Sequence, residues 1–154
     1  MNALPLLIDT NLLLLFVVGT ASREYIGKHK RLTEFTEEDY DTLLVVISSA
    51  PSVLVTPNTL TETSNLAAYI GEPARRHVFQ VLRQLIEASE ERYIASASAA
   101  RRPEFIRLGL TDAALVEATS AEASLLTTDL DLYLSAIAKG APAFNFNHLR
   151  DAYL

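Results

Sequence analysis

The sequence predicts one α/β domain with a mainly parallel central sheet, and three observations carry that prediction. Short apolar runs recur along the chain, and each is followed by a helix-opening signal. Helical stretches separate these runs, and strands joined by helical crossovers lie parallel with both faces of the sheet covered. The chain has 154 residues and 49% hydrophobic content, which suits one sizeable core and leaves little room for two, so the expected domain is 1–154.

Each element has its own justification. Leu4 to Ile8 is an apolar run ending in Asp-Thr-Asn, read as a buried strand that meets a helix over Asn11 to Val18. Arg23 to Arg31 is polar and reads as a loop or helix extension. The acidic run that follows opens a helix through Ser48, with Thr36 as its cap. "SVLVTPN" is a second strand, closed by Pro57, and Asn58 is expected to cap a helix to about Ile70. Glu72 and Pro73 open another helix, with Val78, Val81, Leu82, Leu85 and Ile86 as its apolar stripe. A third helical stretch ends near Leu108, and "GLTD" separates it from a helix over Asp112 to Glu122. "SLLTTD" is a strand, a helix then runs to Lys139 with Gly140 as its stop, and "PAFNF" is the last strand.

Composition narrows the function. There are no cysteines, so disulfides, thiolate metal sites and cysteine nucleophiles are excluded, and any metal has oxygen or histidine ligands. No basic residue precedes Arg23, and Asp9 and Asn11 interrupt the apolar opening, which argues against a signal peptide. The uncharged run Leu12 to Val18 falls short of the roughly 20 residues of a membrane span, so the expectation is a cytoplasmic protein with no membrane partner. A net charge of -6 argues against a general nucleic-acid coat, but not against a nuclease, because metal-binding carboxylates inflate the negative tally.

A lone carboxylate, Asp9, sits inside "LLIDTNLLLLF", and an ionised Asp in an apolar setting needs a turn, a partner or a ligand. Three more segments place an acid beyond a strand or near a helix start: "TPNTLTET" gives Glu62, "GLTDAAL" gives Asp112, and "LLTTDLDL" gives Asp129, with Asp131 close behind. In parallel sheets the ligand crevice lies at the carboxyl ends of the strands, where Asp9 and Asp129 are expected. Clustered carboxylates repel unless cations sit among them, and Mg²⁺ or Mn²⁺ prefers such oxygen ligands. Each acid also has a plainer reading: Asp9, Asp112 and Asp129 occupy cap-like positions, and a Glu on a helix is commonly a solvated residue. Asn11 could orient Asp9, contact a phosphate or cap a helix. His29, His77 and His148 lack ligand spacing and suit surface or packing roles.

Taken in order, "LIDTN", "TET", "DAALVEA" and "LLTTD" make nearly the whole chain resemble the PIN domain nucleases, which include the VapC-type toxins of toxin-antitoxin pairs. The resemblance implies a three-layer α/β/α sandwich and a Mg²⁺- or Mn²⁺-dependent ribonuclease. It implies Asp9, Glu62, Asp112 and Asp129 as metal-holding and catalytic acids and matches Thr128 to the small hydroxyl residue before the last acid; Asn11 and Asp131 are accessory candidates beside them, Asp131 reading equally as a surface acid. It also implies an RNA substrate and a protein antitoxin as partner, and the Ala- and Leu-rich helices suit a homodimer. Arg75 and Arg76, and the group Lys28, Lys30 and Arg31, are the candidate RNA-backbone contacts. Two other classes stand beside this one. A non-catalytic scaffold of the same fold would need no acids, and a haloacid-dehalogenase-type phosphatase would need a second acid where the chain has Asn11.

Overall fold

The computed structural model describes residues 4–151; positions 1–3 and 152–154 of the expected domain lie outside them. The chain alternates strands β1 (Leu6–Ile8), β2 (Val53–Val55), β3 (Glu90–Glu91), β4 (Ser124–Thr127) and β5 (Ala143–Asn145) with helices. All pairings are parallel, in the order β3-β2-β1-β4-β5, with Leu7 opposite Leu54 on one side and Leu125 on the other. The helices are α1 (Thr10–Ala21), α2 (Glu37–Ser48), α3 (Pro57–Ala67), α4 (Ala74–Ala88), α5 (Ser96–Ala100), α6 (Phe105–Leu108), α7 (Leu110–Ala118), α8 (Leu130–Ala138) and α9 (Phe146–Asp151), with a 3-10 helix over Arg23–Lys28.

The period of two along each strand divides the core into two layers. Leu6, Ile8, Val55 and Leu126 pack with α1 to α4, while Leu7, Leu54 and Leu125 pack with Leu115 and Val116 of α7 and Leu132 and Ala136 of α8. Helices cover both faces, so the molecule is a parallel α/β sheet in three layers, as the strand-helix alternation predicts. No helix among the described residues is long and apolar enough to cross a membrane.

The apolar run after Asp9 has a packing reason. Helix α1 buries Leu12 to Leu15, Val17, Val18 and Gly19, so it is enclosed on nearly every side and shows no amphipathic stripe. Gly19 lets α2 approach closely: a Cβ there would stand 2.7 Å from Cγ of the Tyr40 ring, inside van der Waals contact.

Several boundaries differ from the sequence reading, each for a local reason. The cap of α3 is Thr56 rather than Asn58, because Pro57 fits the first helical position and Thr56 Oγ1 accepts from Thr59 N at 3.1 Å. That helix ends at Ala67, short of Ile70. Helix α7 begins at Leu110, after Gly109 at φ 86°, and ends at Ala118, where Thr119 is extended and its hydroxyl donates back to Val116 O. Asp112 therefore lies inside the first turn and is not its cap. The third helical stretch is two short helices, α5 and α6, and it follows an edge strand of two glutamates that no apolar pattern announces. Arg23–Lys28 is 3-10 helix, and α9 follows β5, with Asn145 Oδ1 accepting from Asn147 N at 2.9 Å.

Candidate active site

Sheet order places the crevice. Strand β1 is central, its chain leaves toward β2 on one side, and β4 lies on the other, so the switch point falls between β1 and β4. Asp9 follows β1 and Asp129 follows β4, which sets their helices side by side at the carboxyl edge.

Asp9 is the most constrained of the acids. It is buried, caps α1 through Oδ1, which accepts from Leu12 N at 3.1 Å, and its Oδ2 accepts from Thr128 N at 3.1 Å and from the Thr127 hydroxyl. Burial pushes its carboxyl above the usual range, against the pull of these hydrogen bonds, and the charge of Asp129 adds to the rise. Thus Asp9 is cap, strand clasp and pocket wall together. Asp129 caps α8, its Oδ1 accepting from Leu132 N at 3.1 Å. Glu62, exposed on α3, accepts from the Thr111 hydroxyl of α7. The Asp112 carboxyl accepts no hydrogen bond from any described residue; burial first, and then the charges of Asp9, Asp129 and Glu62, push it up to about 7.

All four acids line one pocket of about 160 Å³, together with Thr10, Asn11, Leu66, Thr128 and Leu132. The lining contains no Lys, Arg or His. Asp131 is exposed in the first turn of α8 and does not line the pocket. Thr127 and Thr111, which hold Asp9 and Glu62, were missed by sequence reasoning; "TTD" offered two hydroxyls, and only the buried one reaches Asp9 by its side chain. Asn147 was missed as well, and its Nδ2 donates to Thr128 O at 3.2 Å, bracing the loop before Asp129.

The donor set suits a hard divalent cation: among the described residues its carboxylates offer oxygen only, the lining holds no competing cation, and the Asp112 carboxyl accepts no hydrogen bond. Among the described residues, no three such side chains are grouped so as to hold a metal ion as they stand. Glu62 and Asp129 are exposed and each carboxylate accepts one hydrogen bond, from the Thr111 hydroxyl and from Leu132 N, whereas the buried Asp9 carboxylate accepts three.

The candidate basic residues divide between two surfaces. Arg75 and Arg76 line a separate groove of about 710 Å³ along α4, with Arg83, Phe79 and Ser64. Ser64 is two residues from both Glu62 and Leu66, so it stands roughly 200° around α3 from the acid side. Arg31 lies elsewhere, its guanidinium 4.5 Å from the centre of the Tyr69 ring, and Lys30 N donates to Tyr69 O at 3.4 Å. The histidines pack: His29 is buried, His77 stacks on Tyr25, and His148 meets Tyr133 edge-on.

No family model and no curated protein matches the chain. Among solved structures it is similar to "a domain of a functionally unknown protein from Methanocaldococcus jannaschii DSM 2661", at 21% identity and TM-score 0.47, over 93% of this chain and 91% of that one. The functional reading therefore rests on the pocket.

Proposed function

We propose that the protein is a Mg²⁺- or Mn²⁺-dependent endoribonuclease, as its resemblance to PIN domain nucleases implies. One observation carries the reading: four carboxylates from four chain segments line one pocket with no cation in its wall, and one of them, Asp112, is pushed to about 7 by its burial and then by the charges of the other three. A structural acid cluster gains nothing from such repulsion, whereas a cation-binding one needs it.

Asp112, Asp129 and Glu62 would hold the cation, with Asp9 as the fixed wall against which they close. A divalent cation bound there supplies Lewis acidity, carrying the charge that develops on the scissile phosphate and making a water acidic enough to attack it. Thr127 and Thr128 keep the Asp9 carboxylate aimed, and Thr111 does the same for Glu62. Asn11 and Thr10, on the pocket wall, offer N–H and O–H donors to phosphate oxygens. The same resemblance supports a toxin restrained by a protein antitoxin, and the Ala- and Leu-rich helices suit a homodimer.

The test is cleavage of defined single-stranded and structured RNAs with Mg²⁺, Mn²⁺ or EDTA. Asp112→Asn is the sharper variant, because the Asp112 carboxyl accepts no hydrogen bond from a described residue, while Asp9→Asn replaces one of the two oxygens that together accept from three donors. Asp112→Asn should lower the rate by about 100-fold or more at unchanged fold. Equal rates in wild type and variant, or cleavage that survives EDTA, would sink the assignment. A second reading, a non-catalytic scaffold of this fold, is favoured by the lack of a ready three-ligand group among the described residues. Absence of any RNA cleavage together with no thermal shift in Mn²⁺ would select it.

A further inference from the structure

The turn that carries Asp129 is held by a helix that does not line the pocket. Strand β5 lies beside β4 with Asn145 opposite Thr127, so the chain leaving β5 runs past the 127–129 turn at the carboxyl edge. Phe146, fully buried, anchors the start of α9 in the core, and Asn145 Oδ1 accepts from Asn147 N at 2.9 Å. The Asn147 amide thereby meets Thr128 O, to which its Nδ2 donates at 3.2 Å.

The peptide group joining Thr128 to Asp129 is held at both ends. Its carbonyl oxygen accepts from Asn147, and its N–H, that of Asp129, donates to Thr127 Oγ1 at 2.9 Å. Asn147 is itself oriented: its Oδ1 accepts from Arg150 Nη1 at 3.4 Å, and because a guanidinium only donates, the amide nitrogen is left for Thr128. Arg150 is fixed in turn by Asp39 of α2, which accepts from its Nε at 3.2 Å and its Nη2 at 2.5 Å. Glu34 O accepts from the same Nη2 at 2.9 Å, and the guanidinium lies 5.1 Å from the centre of the Phe35 ring. Asp39 also closes the capping box of α2, accepting from Thr36 N at 2.9 Å. A continuous run of side chains thus leads from the N-terminus of α2 through α9 to the peptide before Asp129, and neither Arg150 nor Asn147 lines the acid pocket.

We propose that Asn147 is a positioning residue of the acid site, aiming Asp129 through the peptide group that precedes it, with Arg150 holding Asn147 in register. This rests on the cation-dependent reading of the pocket and extends it to residues outside the lining. A peptide held at one end swings about its flanking dihedrals, whereas one held at both ends presents the next side chain in a single direction. A ligand ordered beforehand binds a cation without a further loss of conformational freedom, and residues behind the ligands supply that order.

The experiment titrates Mn²⁺ into the protein by calorimetry, which reads the site without turnover, and follows urea unfolding in EDTA, which reads the fold. Asn147→Leu keeps a similar volume without the amide and should raise the Mn²⁺ Kd about tenfold at a small cost in stability. Arg150→Gln leaves the Asp39 carboxylate without its cation, so it should cost more stability than Asn147→Leu yet raise the Kd less. With RNA and saturating Mn²⁺, Asn147→Leu should lower kcat and leave KM near wild type. Affinity that falls in step with stability across the two variants marks α9 as a brace for the fold alone and overturns the proposal. Mn²⁺ binding by Asn147→Leu equal to wild type overturns it as well, and decides by itself if Arg150→Gln does not fold. In either case the wild type still binds Mn²⁺ and the reading of the pocket stands. If the wild type binds no Mn²⁺, both fall together.

Discussion

Two groups of acids in this molecule are built on opposite terms. In the pocket, Asp9, Glu62, Asp112 and Asp129 meet with no cation in the wall. Near the ends of α6 and α7, Glu104 and Glu117 flank Arg102, which donates to both, at 3.1 Å and 2.9 Å. Glu104 is buried, and burial alone would raise its carboxyl, but the hydrogen bonds and charge of Arg102, with the charge of Arg107, bring it below the ordinary value. Asp39 is similarly paired, with Arg150 at 2.5 Å, tying α9 to α2. The same residue types are thus ion-paired where they hold helices together and left mutually repelling where they line a cavity.

The largest test removes the pairing. Arg102→Met leaves Glu104 buried without its cation and should destabilise by about 3 kcal/mol, read from urea unfolding at pH 7. A second change, Glu104→Met, should recover much of that loss. If Arg102→Met melts like wild type, the pairing contributes nothing and the comparison fails.

The converse substitution acts on the pocket. Asp112 has its carboxyl raised to about 7, so the favourable term is fully present below pH 3.8 and is lost as pH rises through about 7. Without metal, ionising Asp112 at pH 8 costs roughly 2–3 kcal/mol, allowing for its partial exposure. Asp112→Asn should therefore stabilise the protein by about 2 kcal/mol at pH 8 in EDTA and by nearly nothing at pH 4. A gain that does not depend on pH would remove the repulsion from the account.

A cation should act on the pocket as Arg102 acts on its glutamates. Mg²⁺ or Mn²⁺ at ten times its Kd adds about 1.4 kcal/mol, so the wild-type melting temperature should rise. An Asp112→Asn, Asp129→Asn double variant should shift much less, and equal shifts would place the cation elsewhere. The smallest effect concerns the hydroxyl that aims Asp9. Thr127→Val keeps the shape and removes both a donor to Asp9 and the acceptor of Asp129 N, which should lower stability by about 1 kcal/mol and weaken the cation-induced shift. An unchanged cation response in Thr127→Val would show that Asp9 needs no aiming.

The acids were legible in the sequence because each breaks an apolar pattern or closes one. Asp9 and Asp129 end buried strands and open the helices that follow, so the turn signal that marks each as a cap also marks the carboxyl edge where they meet. Glu62 and Asp112 needed the ordered family pattern, since nothing local distinguishes a pocket-facing acid on a helix from a solvated one. The supporting hydroxyls of Thr127 and Thr111 act across segments far apart in sequence, so no local signal marks them. Separation of Arg75 from the acids was equally invisible: adjacent helices share a hairpin, but which side of α3 each lines is decided by packing. The misplaced boundaries have smaller causes, such as the Thr56 cap hidden before Pro57 and the charged edge strand Glu90–Glu91, which carries no alternation.

The clasp between Asp9 and the Thr127–Thr128 turn joins residues 118 and 119 positions apart. During synthesis the acid emerges early and its donors come late, with a gap of roughly 6 to 24 s at 5–20 residues per second. Over that interval the first strand has no β4 to pair with, and its Asp9 has only its own helix to satisfy it. Closing so distant a contact is a late step on any folding route, because loop-closure entropy must be met before the pairing is gained. A chain stalled before β4 therefore carries three of the four acids without the clasp that gathers them, and the pocket comes into being only as the last third of the polypeptide folds onto the first.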